Sequence, residues 1–178
     1  MSQRASLVAF IAAVIIQVLI LVAVPARKVF TIATGKTVVL KVRPVDPYSI
    51  LSGYYTTLGF DISRVDAFPN VRGVSHGFSE GAWCYAVVEK SDDGTWKPVS
   101  LEHELPDNLP DNRAALLGRI SHGVIGYGIE EFYIPEAQRN SIADDLRRNV
   151  DQARVEVKVG SGGHAALQRL IIQDRIYE

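Results

Sequence analysis

The feature that most constrains this chain is a continuous apolar run near its N-terminus. Residues 7–24, "LVAFIAAVIIQVLILVAV", are 18 residues with Gln17 as the one polar member. As an α-helix rising about 1.5 Å per residue, the run reaches about 27 Å, close to the roughly 30 Å hydrocarbon core of a bilayer. The sequence therefore predicts a single-pass membrane anchor in residues 1–28, contacting lipid through residues 7–24, and a folded domain in residues 29–178.

The flanks of this run leave two questions open. A signal peptide cut after the triplet "VPA" is the alternative to an anchor, although the run is longer than a usual signal core, which favours the anchor. Basic residues are more numerous after the run, which places the domain in the cytoplasm if the positive-inside rule is read literally. A short tail, one apolar segment and a long domain are nevertheless the layout of a translocated protein, so we expect the domain outside the cytoplasm.

Composition excludes several classes of function. The chain has 178 residues and a formal net charge of −1, and no cluster of basic residues marks a nucleic-acid-binding surface. Cys84 is the single cysteine, so an intrachain disulfide and a cysteine-based zinc cluster are excluded. We expect Cys84 to be a small buried apolar residue.

Alternating apolar residues predict mainly antiparallel β structure. "TVVLKVR" (37–43) and "RVEVKV" (154–159) alternate with the period of half-buried strands, and "AWCYAVVEK" is apolar on both faces, as in a strand inside a sheet. "SDDGTW" and "GSGGH" predict hairpin turns, while residues 64–81 are predicted to be a loop. The expected architecture is α+β: a twisted sheet or partly closed barrel after the transmembrane helix.

One late helix is predicted after the strands "AALLGRISHG" and "VIGYGIEEFYIP". Pro135 suits its first turn and Glu136 its positive end. Ile142, Leu146 and Val150 recur at the spacing of a buried helix face, whereas "ADDLRR" has the spacing of exposed ion pairs rather than of catalytic carboxylates.

No catalytic or metal-binding constellation is evident along the chain. The four histidines lack the spacing of metal ligands and are expected on the surface: His76, His103, His122 and His164. "GVIGYG" has glycines in the wrong order for a nucleotide motif. Ser52 and Ser161 could be nucleophiles of a hydrolase by residue type, but the sequence spacing places no base near either. We expect neither a cofactor nor a metal.

The stretch "SILSGYYTTLGFDIS" (49–63) is read as a strand with two faces. Tyr55 and Gly59 fall on the face expected to be outward, together with Thr57, Asp61 and Ser63. The face expected to be inward contains Tyr54, Thr56, Leu58, Phe60 and Ile62.

These residues resemble the GDYXXLXY family, bacterial proteins with an N-terminal membrane segment and a domain named after this motif. The match is "GYYTTLGF" (53–60), preceded by "TGKTVVLKVRPVDP" and followed by "EEFYIPE" and "VEVKV". The resemblance covers nearly the whole chain. The family has no assigned activity, so the resemblance implies none for this chain. It implies that the gene lies beside genes for uncharacterised multipass membrane proteins.

The motif departs from the family name at two positions, with Tyr54 in place of Asp and Phe60 in place of Tyr. A reaction that needed the acid could not run here in the same way. We therefore interpret Gly53, Tyr54, Tyr55, Leu58 and Phe60 as structural residues or partner contacts, with Tyr55 as the residue expected to touch a partner.

The leading hypothesis is a non-enzymatic accessory or binding domain for a neighbouring multipass membrane protein in the envelope. The alternatives are an envelope hydrolase with a serine nucleophile such as Ser52, and a small-ligand-binding domain with residues 64–81 as its lid.

Overall fold

The computed structural model of the chain describes residues 3–43, 55–71, 77–133 and 139–177. An N-terminal helix, α1 (Gln3–Thr34), is followed by a β-rich domain with one later helix, α2 (Arg139–Asn149). The strands are β1 (Lys36–Arg43), β2 (Tyr55–Thr57), β3 (Gly59–Phe60), β4 (Trp83–Lys90), β5 (Trp96–Glu102), β6 (Arg113–Ser121), β7 (Val124–Gly126), β8 (Glu131–Tyr133), β9 (Ala153–Val159), β10 (Ala165–Ile172) and β11 (Arg175–Tyr177).

Helix α1 is long and apolar enough to cross a membrane. It contains Pro25 and continues past residue 28 to Thr34, so the helix does not end where the anchor is predicted to end. Its last turn is joined to the domain, because the Gly35 amide donates to the Thr31 carbonyl at 2.8 Å and β1 begins at the next residue.

Two larger antiparallel sheets form most of the domain, and β2 and β8 pair separately. One has five strands in the order β11-β10-β9-β1-β3, and the other has four in the order β5-β4-β6-β7. The predicted alternation is confirmed at its centre, where Val38 and Leu40 of β1 pair with Val157 and Val155 of β9 and all four side chains are buried. The prediction of mainly antiparallel β structure with one late helix is thus confirmed, while neither sheet closes into a barrel over the described residues.

The two sheets share one hydrophobic core. Ala86, Val88 and Leu116 come from the four-stranded sheet and lie in the same cluster as the buried residues of β1 and β9. Cys84 is also completely buried there, as predicted, and burial raises the pKa of its thiol to about 11. A backbone bond of 2.8 Å from Leu117 to Gly163 ties β6 to the β9–β10 turn.

Residues 64–81 contain more structure than the predicted loop. Within their described part, a 3₁₀ turn at Val65–Ala67 leads to Phe68 and Val71, which are 0% and 5% exposed. Asn70 bonds the backbone of Leu101 in both directions at 2.9 Å. The buried side chains of Phe68 and Val71 hold the segment onto the core.

Helix α2 buries the predicted face. Ile142 and Leu146 are 0% and 4% exposed, and Val150 packs against the core from the 3₁₀ turn that follows. Pro135 and Glu136, which are predicted to start this helix, lie outside the described residues.

Candidate functional site

The motif stretch pairs with two different partners instead of forming one strand. Its first part, β2, pairs antiparallel with β8, so that Tyr55 lies opposite Tyr133 and Thr57 opposite Glu131. The Leu58 amide then donates to the Glu130 carbonyl at 2.7 Å. The two stretches "GYYTTLGF" and "EEFYIPE" therefore meet in space, as a separate two-stranded ribbon.

The second part of the stretch, β3, pairs with the edge of the five-stranded sheet. Phe60 lies opposite Val42 and Gly59 opposite Arg43. Leu58, Phe60 and Ile62 are each at most 2% exposed, which confirms the predicted inward face at these positions. Gly53 and Tyr54 lie outside the described residues, as does Ser52.

The predicted outward face is wrong at Ser63. The chain leaves the strand and enters a 3₁₀ turn at Asp61–Ser63, so strand parity no longer applies. Ser63 is only 8% exposed, and its hydroxyl accepts a 3.3 Å hydrogen bond from the Phe60 amide. The turn is thereby closed by a side chain whose position a regular strand would have put in solvent.

Tyr127 supports this turn from the opposite side, and sequence reasoning missed it. Its hydroxyl donates to the Ile62 carbonyl at 2.6 Å, and its amide donates to Glu130 Oε1 at 2.6 Å. Burial, and after it the nearby Cys84 and Glu130, raise the pKa of Tyr127 well above its usual range, so the hydroxyl stays protonated and able to donate. Its only sequence signal is a tyrosine between the glycines of "GVIGYG".

An exposed aromatic side chain lies beside the buried part of the motif. Tyr133, which pairs through its backbone with Tyr55, is 69% exposed. Phe132 between Tyr133 and Glu131 is 6% exposed. The ribbon therefore buries one face in the core and presents Tyr133 and Glu131 to solvent.

The described histidines do not form a metal site. His103 stacks on Phe78 with 4.0 Å between ring centroids, His122 has a 93% exposed side chain, and His164 is exposed. Within the described residues, no group of three histidine, cysteine, aspartate or glutamate side chains could hold an ion. His76 lies outside those residues.

A groove of about 640 Å³ is lined by the end of α1 and by loops of the domain. Its polar lining includes Lys28, Glu131, Ser161 and His164. Among the described contacts, the Ser161 hydroxyl forms no hydrogen bond with His164 or another group, so the pair lacks the hydrogen bond that would activate a serine nucleophile.

A second groove, of about 580 Å³, lies against the described part of residues 64–81. It is lined on one side by Arg64 and Glu80 and on the other by the β6–β7 turn at His122–Val124. The Glu80 carboxylate accepts the His122 amide at 2.9 and 3.1 Å, and this bond lowers the pKa of Glu80. Arg64 is bonded to Asp66. The charged side chains of this groove are thus engaged in hydrogen bonds within the protein.

Comparison with known proteins identifies one relationship. The model of a family described as "GDYXXLXY protein" matches residues 17–170. This match includes α1 from Gln17 onward, the motif stretch, the ribbon and the strands as far as Leu170 in β10. Neither a curated protein nor a solved structure matches the chain.

Proposed function

We propose a function from one premise: the chain belongs to the GDYXXLXY family. In this proposal the protein is anchored in the membrane by α1, and its β-rich domain is a non-enzymatic accessory or binding domain for a neighbouring multipass membrane protein. The domain lies on the extracytoplasmic side. The ribbon formed by β2 and β8 is the contact surface.

The exposed ring of Tyr133 carries this proposal. Tyrosine is enriched at the centres of protein interfaces because its rigid ring supplies a large contact area together with a polar group. Tyr133 is 69% exposed, although the neighbouring Phe132 is buried and the strand is fixed by pairing with the motif. The ribbon therefore presents an aromatic side chain on a strand that pairs with the family motif at Tyr55.

The connection between α1 and the domain supports a partner within the membrane. Thr31 in the last turn of α1 is bonded to Gly35, and α1 contacts both β9 and β10. A direct junction of this kind keeps the domain close to the bilayer surface. A membrane neighbour would then meet the domain without a long linker.

Site-specific photocrosslinking tests the contact. A photoreactive phenylalanine analogue replaces Tyr133 in the full-length protein, which is expressed in cells that also carry its natural membrane neighbours. We expect ultraviolet light to yield one discrete crosslinked species, and mass spectrometry to identify a multipass protein in it. Solubilisation in mild detergent before purification keeps α1 in a lipid-like environment.

Trp83 provides the matched control, because it is an aromatic residue of β4 with 60% exposure. The same analogue at position 83 should yield no such species. Equal crosslinking at both positions, or none at position 133, would contradict the ribbon as the contact surface. Protease access to a C-terminal tag in intact spheroplasts tests the side separately: cleavage is expected, and a protected tag would place the domain in the cytoplasm.

A small-ligand-binding domain is the second candidate, and the groove against residues 64–81 favours it. A ligand there would contact Phe78 and Val124 on an apolar side and Glu80 on a polar side. A thermal-shift screen of small metabolites on the full-length protein tests this function. A stabilising compound whose effect is lost in Phe78→Ala would support it, and the absence of any stabilising compound would count against it.

A further inference from the structure

The groove at the end of α1 lies at a defined height above the bilayer core. The helix from Leu7 to Ala26, which is the predicted span of residues 7–24 with Pro25 and Ala26 added, is 20 residues, or about 30 Å, and matches the hydrocarbon thickness. Lys28 then lies about 3 Å beyond the core and Thr31 about 7 Å beyond it, by the same helical rise. The lipid headgroup layer is about 5 to 8 Å thick on each side. The groove lined by these two residues therefore opens into that layer.

The β9–β10 turn is held at the same height. An added Cβ at Gly160 would lie 3.5 Å from Thr31 Oγ1, and one at Gly35 would lie 3.0 Å from the Val159 nitrogen. The turn and the end of the helix are therefore in direct contact, with no space for a spacer between them. Ser161 in this turn is consequently placed beside the lipid headgroups with the groove.

The groove carries one free group of each charge. Within the described part of the chain, neither the Lys28 ammonium nor the Glu131 carboxylate has an ion pair or side-chain hydrogen bond, and the Ser161 hydroxyl has no partner. By contrast, Lys36 and Lys158 both donate to neighbouring protein oxygens. Lys28 and Ser161 suit a phosphate, while Glu131 suits an ammonium group.

We propose that this groove binds the phosphoethanolamine headgroup of a membrane lipid. Lys28 and Ser161 donate to the phosphate, and Glu131 accepts from the primary ammonium. The lining has no excess of positive charge when His164 is neutral, which disfavours a purely anionic headgroup. A choline headgroup has no N–H to donate to Glu131, so ethanolamine is preferred over choline as well. The inference rests on the part of the proposed function in which α1 spans a bilayer.

Lipid retention measures the preference directly. The full-length protein is reconstituted into nanodiscs that contain equal amounts of phosphatidylethanolamine, phosphatidylcholine and phosphatidylglycerol, and is then released in mild detergent for native mass spectrometry. We expect one phosphatidylethanolamine to be retained about tenfold over the other two, as the loss of one charge-assisted hydrogen bond predicts. Equal retention of the three lipids would overturn the proposal.

Two variants and two controls assign the effect to the groove. Lys28→Gln and Glu131→Gln should each reduce retention of phosphatidylethanolamine about tenfold, because each removes one charge-assisted bond. Lys90→Gln and Glu104→Gln change the same residue types at exposed positions outside the groove and should leave retention unchanged. Unchanged retention in both groove variants would also overturn the proposal.

A spin label measures the height of the turn independently. In Gly162→Cys the new side chain has only His164 Cδ2 near it, at 3.8 Å, and the native Cys84 stays unlabelled because it is completely buried with a thiol pKa of about 11. Accessibility to oxygen and to a polar nickel complex should place the label in the headgroup layer. A label in bulk water would overturn the placement. Failure of the protein to float with vesicles would instead refute the anchor, so the two failures are distinguishable.

Discussion

The motif turn and the ribbon adjoin each other, yet they differ in how their polar groups are engaged. In the motif turn, from Leu58 to Ser63, the Leu58 amide, the Phe60 amide and the Ile62 carbonyl are all hydrogen bonded to groups outside a regular strand ladder. In the ribbon, the side chains of Tyr133 and Glu131 are exposed and form no hydrogen bond within the described residues. The polar groups of the motif turn are therefore paired within the protein, whereas the polar side chains of the ribbon are available to a partner.

This difference assigns separate roles to the motif turn and to the ribbon. A buried polar group costs free energy unless it is paired, so the contacts of the motif turn stabilise the fold and leave little capacity for binding. Exposed groups on a fixed backbone retain that capacity. We therefore expect substitutions in the motif turn to reduce the free energy of unfolding, and substitutions in the ribbon to affect recognition of a partner.

The largest effect is expected from Phe60→Ala. Phe60 is 1% exposed in the shared core, and truncation of a buried phenylalanine costs about 3–5 kcal/mol of unfolding free energy. Urea unfolding of the full-length protein in detergent, followed by the fluorescence of buried Trp96, measures the loss. Tyr133→Ala removes a comparable ring from the surface and should change stability by only about 0.5 kcal/mol. Similar losses for both variants would remove the distinction between the two regions.

A pair of glycines tests how tightly the support of the motif turn is packed. A Cβ at Gly118 would clash with Ile125 Cγ2 and lie 3.0 Å from Tyr127 Cε1, so Gly118→Ala should cost about 1–3 kcal/mol through overpacking. A Cβ at Gly126 would meet no atom closer than 3.9 Å. Gly126→Ala should therefore be nearly neutral in the same unfolding measurement. A neutral Gly118→Ala would show that Ile125 and Tyr127 can shift without loss of stability.

Tyr127→Phe tests the hydroxyl alone. It keeps the ring and removes the donor to the Ile62 carbonyl, which leaves a buried acceptor unpaired and should cost about 1–3 kcal/mol. Tyr133→Phe removes a hydroxyl from an exposed ring and should be neutral. Hydrogen exchange near residues 58–63 should rise only in the first variant. Unchanged exchange there would mean that Tyr127 does not hold the turn.

The regular strands could be predicted because their burial has a local signature. Val38, Leu40 and Val42 fall on one face of β1, and Val39 is the one apolar residue among those that alternate with them, so the sequence indicates which side faces the core. The motif stretch carries the same alternation, but it divides between β8 and β1 as pairing partners. Those partners lie far away in sequence, and no local pattern specifies where pairing changes from one to the other.

The candidate sites were harder to predict for the same reason. Lys28, Glu131 and Ser161 line one groove, although more than 100 residues separate the first from the other two. Strand β11 could not be predicted either. It is only three residues long, with Ile176 exposed, and three residues are too few to show the alternation of a strand. The role of Tyr127 has no local signature either, because the glycines on both sides of it dominate the pattern of "GVIGYG".

The smallest effect is expected at a contact whose side chains are neither fully buried, as in the motif turn, nor fully exposed, as in the ribbon. Asp145 of α2 accepts hydrogen bonds from Tyr177 at 2.6 Å and from Arg175 at 2.7 Å, and its side chain is 18% exposed. The bond from Tyr177, followed by that from Arg175, lowers the pKa of Asp145 below its usual 3.8. Because the pKa is lower in the folded state, the stabilisation is present above the unfolded value and is lost as pH falls through the folded one.

Asp145→Asn should therefore flatten the dependence of unfolding free energy on pH below about pH 4, where the native carboxylate becomes protonated. Urea unfolding at a series of acidic pH values measures the slope. Asp144→Asn is the matched control, because Asp144 is 55% exposed and its Arg148 partner lies 3.9 Å away. The control should keep the native slope. Equal flattening in both variants would mean that the overall charge of the helix, rather than the contact with β11, stabilises α2. The half-buried Asp145 carboxylate would then contribute no more to the pH dependence than the exposed Asp144 carboxylate.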